Sequence, residues 1–274
     1  MMLKQRILTA LGLMVILLAV ILSGSLTAFV ILLMISLGAT TWEITRINEY
    51  RYPFAYAYGA AIILGITVST AKKTLYVFLA CFVVFAWFVY FIPSLFYKLP
   101  RDIGWATRFF ERIYYACIFS SFMAAAFIYR QSWLLFLSLL ILVSVADSGA
   151  YFAGKKFGKR KLAPDISPGK TWEGVAGGII ATLLVSVATV FIPVLDSSIN
   201  VILYNALGWA GMVGGIILLV AVSVTGDLQE SRFKRRRGIK DSSSILPGHG
   251  GILDRIDSLI PILPLAVLIH ICLV

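Results

Sequence analysis

Residues 132–153 read S-W-L-L-F-L-S-L-L-I-L-V-S-V-A-D-S-G-A-Y-F-A, and this stretch predicts the class of the fold. Its apolar run is long enough to cross the hydrocarbon core of a bilayer as a helix. Asp147 stands near its C-terminal end, where a carboxylate costs free energy unless it has a partner, a wet cavity or a function. The stretch therefore predicts a transmembrane helix that carries one functional polar group.

The rest of the chain repeats this apolar pattern. It has 274 residues, of which 60% are hydrophobic, and its mean hydropathy is +0.93. No soluble globular domain has such a composition, so we predict an all-α, polytopic bundle of transmembrane helices. About nine stretches reach the length of a span. Their approximate limits are 7–23, 25–45, 53–70, 74–97, 112–129, 132–153, 172–193, 208–228 and 259–274.

The two terminal stretches differ from the others. The first follows Lys4 and Arg6, as the apolar part of a secretory signal peptide would. We expect it to be retained as a helix, because no convincing cleavage site is present and the next span follows almost at once. The last contains Pro261 and Pro264, so we expect a helix that is kinked or only partly inserted.

The basic residues predict the orientation. The net charge is +11, and the chain has 24 Lys and Arg residues. If the N-terminus is cytoplasmic and all nine stretches cross, only Lys72, Lys73 and Arg130 face outward, which satisfies the positive-inside rule. Because the basic residues lie between apolar spans, we expect nucleotide phosphates and anionic membrane lipid as partners, and no nucleic acid.

Two polar windows, 146–173 and 226–257, hold more than half of the basic and of the acidic residues. Solvation alone would spread these charges over all the cytoplasmic loops, so we place the functional site in the two windows. The predicted organisation is an N-terminal helical region, 1–110, and a C-terminal catalytic region, 111–274. The latter includes cytoplasmic loops at 154–171 and 229–258.

The second window contains a run with several phosphate-binding features. Residues 231–257 read S-R-F-K-R-R-R-G-I-K-D-S-S-S-I-L-P-G-H-G-G-I-L-D-R-I-D. Clustered Lys and Arg neutralise phosphate oxygens, and glycine-rich turns turn backbone N–H groups toward anions. Asp254 and Asp257, three residues apart, share a helix face and suit Mg²⁺. The alternative is a solvated loop whose basic residues reflect topology alone.

The first window combines lysines with a predicted turn. Ser167-Pro168-Gly169-Lys170-Thr171 is expected to form a turn before a helix, capped by Thr171 or Ser167, whose N-terminus can accept a phosphate. It is not a Walker A loop, because position 164 is a proline instead of the required glycine. The alternative for the neighbouring lysines is contact with lipid headgroups.

Residues 231–257 resemble the signature of the phosphatidate cytidylyltransferases (CDP-diacylglycerol synthases) at every fixed position. Further segments are similar to other motifs of that family, so that the resemblance covers roughly 145–258. These segments are Asp147-Ser148-Gly149-Ala150-Tyr151, Gly158-Lys159-x-Lys161, Ser167-Pro168-x-Lys170-Thr171-x-Glu173-Gly174 and Gly226-Asp227-Leu228. Residues 1–110 match only as a hydrophobic pattern.

The resemblance implies the reaction CTP plus phosphatidate to CDP-diacylglycerol plus pyrophosphate, with one or two Mg²⁺ ions, at the cytoplasmic side of a bacterial inner membrane. The phosphate of phosphatidate is itself a nucleophile, so the protein must supply alignment and charge neutralisation. Because the lipid stays in the bilayer and CTP arrives from the cytosol, we also expect a lateral opening between helices. The sequence leaves the oligomeric state open, a homodimer included.

The residue roles are hypotheses. The metal ligands would be Asp227, Asp254 and Asp257, with Asp147 on the same or a second ion. Groups that hold the triphosphate or the lipid phosphate would be Lys234, Arg235 and Lys240. Groups that orient neighbours or bind substrate would be Asp241 and His249. The remaining candidates, for CTP binding, are Lys155, Lys159, Ser167, Lys170 and Ser231.

Three other functions are weighed against this one. A CTP-dependent lipid or polyprenol kinase would transfer the γ-phosphoryl group and release CDP; the full signature favours nucleotidyl transfer. A cation-coupled transporter would use Asp147 and Asp227 as ion ligands, but the charges are concentrated on one side, whereas alternating access needs groups usable from both. A CDP-alcohol phosphatidyltransferase requires D-G-x-x-A-R, which the sequence lacks.

Overall fold

The computed structural model of the chain describes residues 2–97 and 104–274, with side chains from residue 8 onward. Helices make up most of these ranges. They are α1 (Met2–Leu22), α2 (Leu26–Ile47), α3 (Pro53–Thr70), α4 (Lys73–Ala86), α5 (Ile92–Ser94), α6 (Trp105–Gln131), α7 (Trp133–Phe157), α8 (Trp172–Val190), α9 (Ile199–Arg236), α10 (Leu253–Ile256) and α11 (Leu259–Leu273). A π-helical segment, Trp87–Phe91, joins α4 to α5. A short antiparallel hairpin, β1 (Lys161–Ala163) and β2 (Ser167–Thr171), lies between α7 and α8.

The predicted all-α class is confirmed, and each predicted apolar stretch coincides with a helix or a continuous pair of helices. Within the described residues, 7 helical segments are long and apolar enough to cross a membrane, while Leu8–Leu22 and Leu259–Leu273 are shorter. The number of helices that cross and the direction of the N-terminus stay predictions. Lys98 and Arg101, which the orientation argument counts as cytoplasmic, lie outside the described residues.

Helix α6 lies at the centre of the bundle and packs against α2, α4, α7 and α11. Its middle turns are built from small residues, among them Ala124, Ala125 and Ala126, all buried. Small side chains let neighbouring helix backbones approach closely, which is how helices pack inside membranes. Helices α3 and α8, by contrast, expose large apolar side chains such as Phe54 and Leu184, as a lipid-facing surface requires.

Helices α7 and α8 form a closely packed hairpin, and this packing positions Asp147. A Cβ atom at Gly178 of α8 would lie 2.7 Å from the carbonyl oxygen of Ala146 on α7. The two backbones can therefore touch only because α8 has no side chain at this point. Asp147 is the next residue after Ala146, so this contact holds it near the start of α8.

Helix α9 is longer than its apolar part. It is broken at Gly208, where φ is 67°, and then runs on to Arg236. The segment 229–236, which we expected to lie in a cytoplasmic loop, is therefore helical. In a helix, residues three and four apart share a face, so Asp227, Glu230 and Lys234 lie together, whereas Arg235 is turned away.

Candidate active site

The two polar windows meet around one cavity of about 640 Å³. Its walls come from α7, the β1–β2 hairpin, the start of α8, the C-terminal end of α9 and residues 241–257. Of the residues singled out in the sequence, those that line it are Asp147, Lys155, Ser167, Lys170, Asp227, Lys234, Asp241, Asp254 and Asp257. Toward the apolar part of α9 the cavity is lined by Val220 and Val224. It therefore joins a charged end to an apolar wall.

Asp227 of α9 is held by two partners. The Lys170 ammonium nitrogen lies 2.8 Å from Asp227 Oδ2. The hydroxyl of Ser231, one helical turn further on, donates a hydrogen bond of 3.2 Å to Asp227 Oδ1. The cavity lining does not include Ser231. Ser231 therefore orients Asp227, while Lys170 bridges the first polar window to the second.

Asp257 is brought beside Asp227 by a close approach of two backbones. A Cβ atom at Gly226 would lie 2.5 Å from the Asp257 carbonyl oxygen and 3.0 Å from the Cα atom of Ser258. Burial and then the negative charge of Asp227 raise the pKa of Asp257 to about 7, and the charge of Asp147 acts in the same direction. Three carboxylates thus share one electrostatic environment that a cation would relieve.

Adding one methyl group at Gly226 tests whether this close approach positions Asp257. We expect Gly226→Ala to lower kcat by about 10²-fold, because it pushes Asp257 away from Asp227. Gly214→Ala, on the same helix, is the matched control, since a Cβ atom at Gly214 would meet nothing within 4 Å. Steady-state kinetics of both variants checks the prediction, and equal rates would show that the Gly226 contact does not position Asp257.

Lys234 links two acidic groups inside the cavity. Its ammonium nitrogen is 2.5 Å from Asp254 Oδ1 and 2.7 Å from Glu230 Oε2. Asp254 also accepts hydrogen bonds from the backbone N–H of Gly251 (2.7 Å) and from the N–H and hydroxyl of Ser242 (3.0 Å each). Burial raises the pKa of Asp254, but the neighbouring Glu230 carboxyl, Lys234 and the backbone N–H of Gly251 outweigh this effect and lower the pKa to about 2. Asp254 is therefore ionised and engaged by protein donors.

Glu43 of α2 forms hydrogen bonds with residues in the range 242–253, which lie far away in the sequence. We refer to residues 242–253 as the signature loop. The Glu43 side chain is 0% exposed. It accepts hydrogen bonds from the hydroxyl of Ser243 (2.6 Å) and from the backbone N–H groups of Ile252 and Leu253 (2.9 Å each). The Ser242 hydroxyl lies 3.1 Å away and shares its single proton between Glu43 and Asp254. Our prediction of the site missed Glu43. The available signal was a carboxylate near the end of an apolar stretch, as at Asp147.

Arg255 is a second residue that the prediction of site groups left out. It lines the polar cavity and also an apolar cavity of about 280 Å³ lined by side chains of α1, α2, α6, α7 and α11. Its guanidinium group donates to the carbonyl oxygen of His249 at 2.7 Å. Arg255 therefore stands at the boundary between the charged and the apolar compartments.

Besides Ser231, four candidate residues in the described part of the chain do not line the cavity. Arg235 donates to the carbonyl oxygen of Ile239 and closes the turn after α9. Lys159 and Lys240 are exposed, and the cavity lining includes neither of them, nor Arg235 or His249. Their proposed contacts with substrate stay predictions that this arrangement does not favour.

The first window forms a strand where we expected a turn. Ser167 and Lys170 lie on β2, and both line the cavity. The expected helix cap is confirmed at Thr171, whose hydroxyl accepts the N–H of Gly174 at 3.1 Å. The Glu173 carboxylate accepts the backbone N–H groups of Lys159 (3.0 Å) and Arg160 (3.1 Å), which fixes the hairpin against α8.

The carboxylates fit a magnesium ion that shares its coordination with substrate. In the parts of the chain that the structure describes, no three His, Cys, Asp or Glu side chains could hold a metal ion among themselves. Mg²⁺ is commonly bound through one or two carboxylates, with phosphate oxygens and water completing the octahedron. Asp227 and Asp257 provide such a pair, because burial and then the nearby charge of Asp227 raise the pKa of Asp257, and a bound cation would offset both effects.

A family model and one of the relatives reported below are similar to this sequence over nearly its whole length. A family model described as the cytidylyltransferase family matches residues 4–273. The phosphatidate cytidylyltransferase of Pseudomonas aeruginosa is 40% identical over 272 residues, which cover 96% of this chain and 95% of the relative. That of Haemophilus influenzae is 52% identical over 130 residues, 47% of this chain and 43% of the relative. The chain therefore belongs to the cytidylyltransferase family.

Proposed function

We propose that the protein transfers the cytidylyl group of CTP to phosphatidate. An oxygen of the lipid phosphate forms a bond to the α-phosphorus of CTP, and the bond from that phosphorus to the bridging oxygen of the β-phosphate breaks. The products are CDP-diacylglycerol and pyrophosphate. The observation that carries the proposal is the meeting of the two polar windows around one cavity that combines lysines, carboxylates and an apolar wall.

The β1–β2 hairpin and the end of α7 are the best supported CTP contacts. Lys155, Ser167 and Lys170 line the cavity from this side. Lys170 is paired with Asp227. A triphosphate entering the cavity would compete for the Lys170 ammonium group, which would free the Asp227 carboxylate. Nucleotide binding and formation of the acidic pair would thus be coupled.

Asp227 and Asp257 would hold Mg²⁺, with Asp147 available to the same or a second ion. When bound, the ion neutralises phosphate oxygens and orients the attacking and leaving groups. The contribution of the chain is to hold the carboxylates in place, through Ser231, Gly226 and the contact between α7 and α8. Lys234 and Arg255 add positive charge around the reacting phosphates.

Arg255 is the best supported contact for the lipid phosphate. It is the lining residue that connects the polar cavity with the apolar one. With its phosphate at Arg255, phosphatidate would place acyl chains among the apolar side chains. Leu13 and Ile16 line the apolar cavity and are themselves partly exposed on α1, so this cavity opens toward the lipid-facing side. We propose this opening as the expected lateral route.

These assignments predict that separate substitutions change the KM for CTP and the KM for phosphatidate. We expect Lys170→Ala to raise KM for CTP about tenfold, and Arg255→Ala to raise KM for phosphatidate about tenfold. Each loses a charge-assisted hydrogen bond, which contributes about 1.5–3 kcal/mol. Lys159→Ala is the control, because Lys159 belongs to the same window but not to the cavity lining. Two-substrate kinetics gives the four constants, and an exchange of the two effects would reverse the assignment.

The reaction itself is tested with purified protein, labelled CTP and phosphatidate. We expect stoichiometric release of pyrophosphate and a lipid that carries CMP. Release of CDP with a phosphorylated lipid would instead identify the lipid kinase. We further propose an inner-membrane location with the cavity on the cytoplasmic side, because the two windows that form it hold more than half of the basic residues.

A further inference from the structure

A second polar cavity, of about 480 Å³, lies apart from the catalytic one and shares no lining residue with it among the described residues. It forms where residues 47–50 at the end of α2 meet residues 108–115 of α6 and Arg237, which follows α9. We refer to it as the arginine cavity. Its lining combines guanidinium groups, carboxylates, tyrosine hydroxyls and the Asn48 amide.

The arginine cavity carries a surplus of unused positive groups. Arg108 and Arg112, one helical turn apart, are exposed, and the side chain of neither has a hydrogen bond or an ion pair with a described residue. Arg237 is bound through one nitrogen, Nη2, to Glu111 at 2.8 Å and to Asn48. Its other terminal nitrogen, Nη1, is buried, as is Glu111 Oε1, and neither atom has a hydrogen-bond partner among the described residues. The exposed guanidinium groups of Arg108 and Arg112 are therefore the groups of this lining that are available to an anionic ligand.

The charge of the lining matches a singly charged anion. Arg108, Arg112 and Arg237 carry three positive charges, against the carboxylates of Glu49 and Glu111. Among the described residues of the lining, the balance is one positive charge. A phosphodiester carries one negative charge, and guanidinium groups bind phosphate oxygens in a bidentate geometry. The Tyr115 and Tyr50 hydroxyls supply further donors.

Aromatic side chains place this cavity at headgroup depth. Trp105 and Phe109, on the first turns of α6, are 82% and 46% exposed and stack on each other. Tyr52, next to the α2 end of the cavity, is 58% exposed. Exposed Trp and Tyr gather at membrane–water interfaces, and basic pockets between helices at that depth bind lipid headgroups. The ligand chemistry is therefore that of a membrane lipid.

We propose that the arginine cavity binds the phosphodiester headgroup of an anionic phospholipid and that this binding activates the enzyme. Arg237 lies one turn beyond Lys234, which lines the catalytic cavity. Asn48 lies on the helix end that follows Glu43, the residue that holds the signature loop. Arg237 and Asn48 are hydrogen bonded to each other, so a headgroup held by Arg108 and Arg112 beside them would reinforce this link between the ends of α9 and α2, both of which support the catalytic cavity.

The test compares two double variants with the same loss of charge. R108Q/R112Q removes the free arginines of the cavity. R46Q/R51Q removes two arginines that lie at the α2–α3 connection. Their guanidinium groups pack over Trp42 and Tyr52, and neither residue lines the arginine cavity. Each double variant is placed in nanodiscs that contain a fixed fraction of phosphatidate. In the remaining lipid, phosphatidylcholine is replaced by phosphatidylglycerol. Bound phosphatidylglycerol is counted by native mass spectrometry, a readout that does not depend on the proposed reaction.

We expect kcat of the wild type and of R46Q/R51Q to rise about fivefold or more with phosphatidylglycerol, a coupling typical of allosteric sites. R108Q/R112Q should keep the basal rate, lose the rise and retain less phosphatidylglycerol. Equal losses in both double variants would assign the effect to surface charge and overturn the proposal. Activation by inorganic phosphate in phosphatidylcholine discs would assign the cavity to a soluble anion and also overturn it. Unchanged lipid retention in R108Q/R112Q would do the same.

Discussion

Asp227→Asn is expected to lower kcat by about 10³-fold, the scale of losing one group that stabilises charge in a transition state. The substitution removes the partner of Lys170 and one half of the acidic pair with Asp257. The fold should persist, because the amide has the same size and the removed charge was repelled by Asp257. Single-turnover assays on protein of unchanged thermal stability in detergent measure the effect.

Asp165→Asn is the matched control for this variant. Asp165 lies between β1 and β2, is exposed and does not line the cavity. Its replacement should leave turnover within about twofold of wild type, as for a solvated surface carboxylate. Near-normal turnover of Asp227→Asn, on the other hand, would remove Asp227 from the proposed mechanism.

Glu43→Gln is expected to have the second largest effect, on stability and activity together. The buried carboxylate accepts the Ser243 hydroxyl and two backbone N–H groups from the signature loop, and it shares the Ser242 hydroxyl with Asp254. A glutamine offers one oxygen and turns an NH₂ group toward donors, so that some of these bonds are lost. We expect a destabilisation of about 3 kcal/mol or more, since a hydrogen bond to a charged group contributes about 1.5–3 kcal/mol.

Hydrogen exchange shows where this destabilisation occurs. Protection should fall in residues 242–253 and change little in the helices that surround α6. Asp196→Asn, which changes an exposed carboxylate in the connection before α9, serves as the control. If Glu43→Gln left the exchange of 242–253 unchanged, the loop would have another support.

The fold could be predicted well from hydropathy because a membrane leaves few alternatives. A span must satisfy its backbone hydrogen bonds internally, so a long apolar stretch becomes a helix. The C-terminal end of α9 was missed because residues 229–236 are polar, and hydropathy ends a span where charge begins. Backbone hydrogen bonding continues regardless, and the helix reaches Arg236.

Residue type and spacing in the sequence predicted only part of the site. The motifs identified the two windows, and Asp227 and Lys234 lie seven residues apart, nearly two turns, on one face of α9. Arg235 is of the same type as its neighbours, but the phase of the helix turns it away from the cavity. Glu43 contacts residues about 200 positions later in the chain, and no local pattern could indicate that pairing.

The position of the divalent ion tests the central claim most directly. Crystals grown with Mn²⁺ and CTP, measured at the manganese absorption edge, locate the ion by its anomalous signal. We expect the signal between Asp227 and Asp257, at coordination distance from both carboxylates, and its loss in Asp227→Asn. A Mn²⁺ signal elsewhere in the protein, with Asp227 still paired to Lys170 in the presence of CTP, would contradict the proposed catalytic centre.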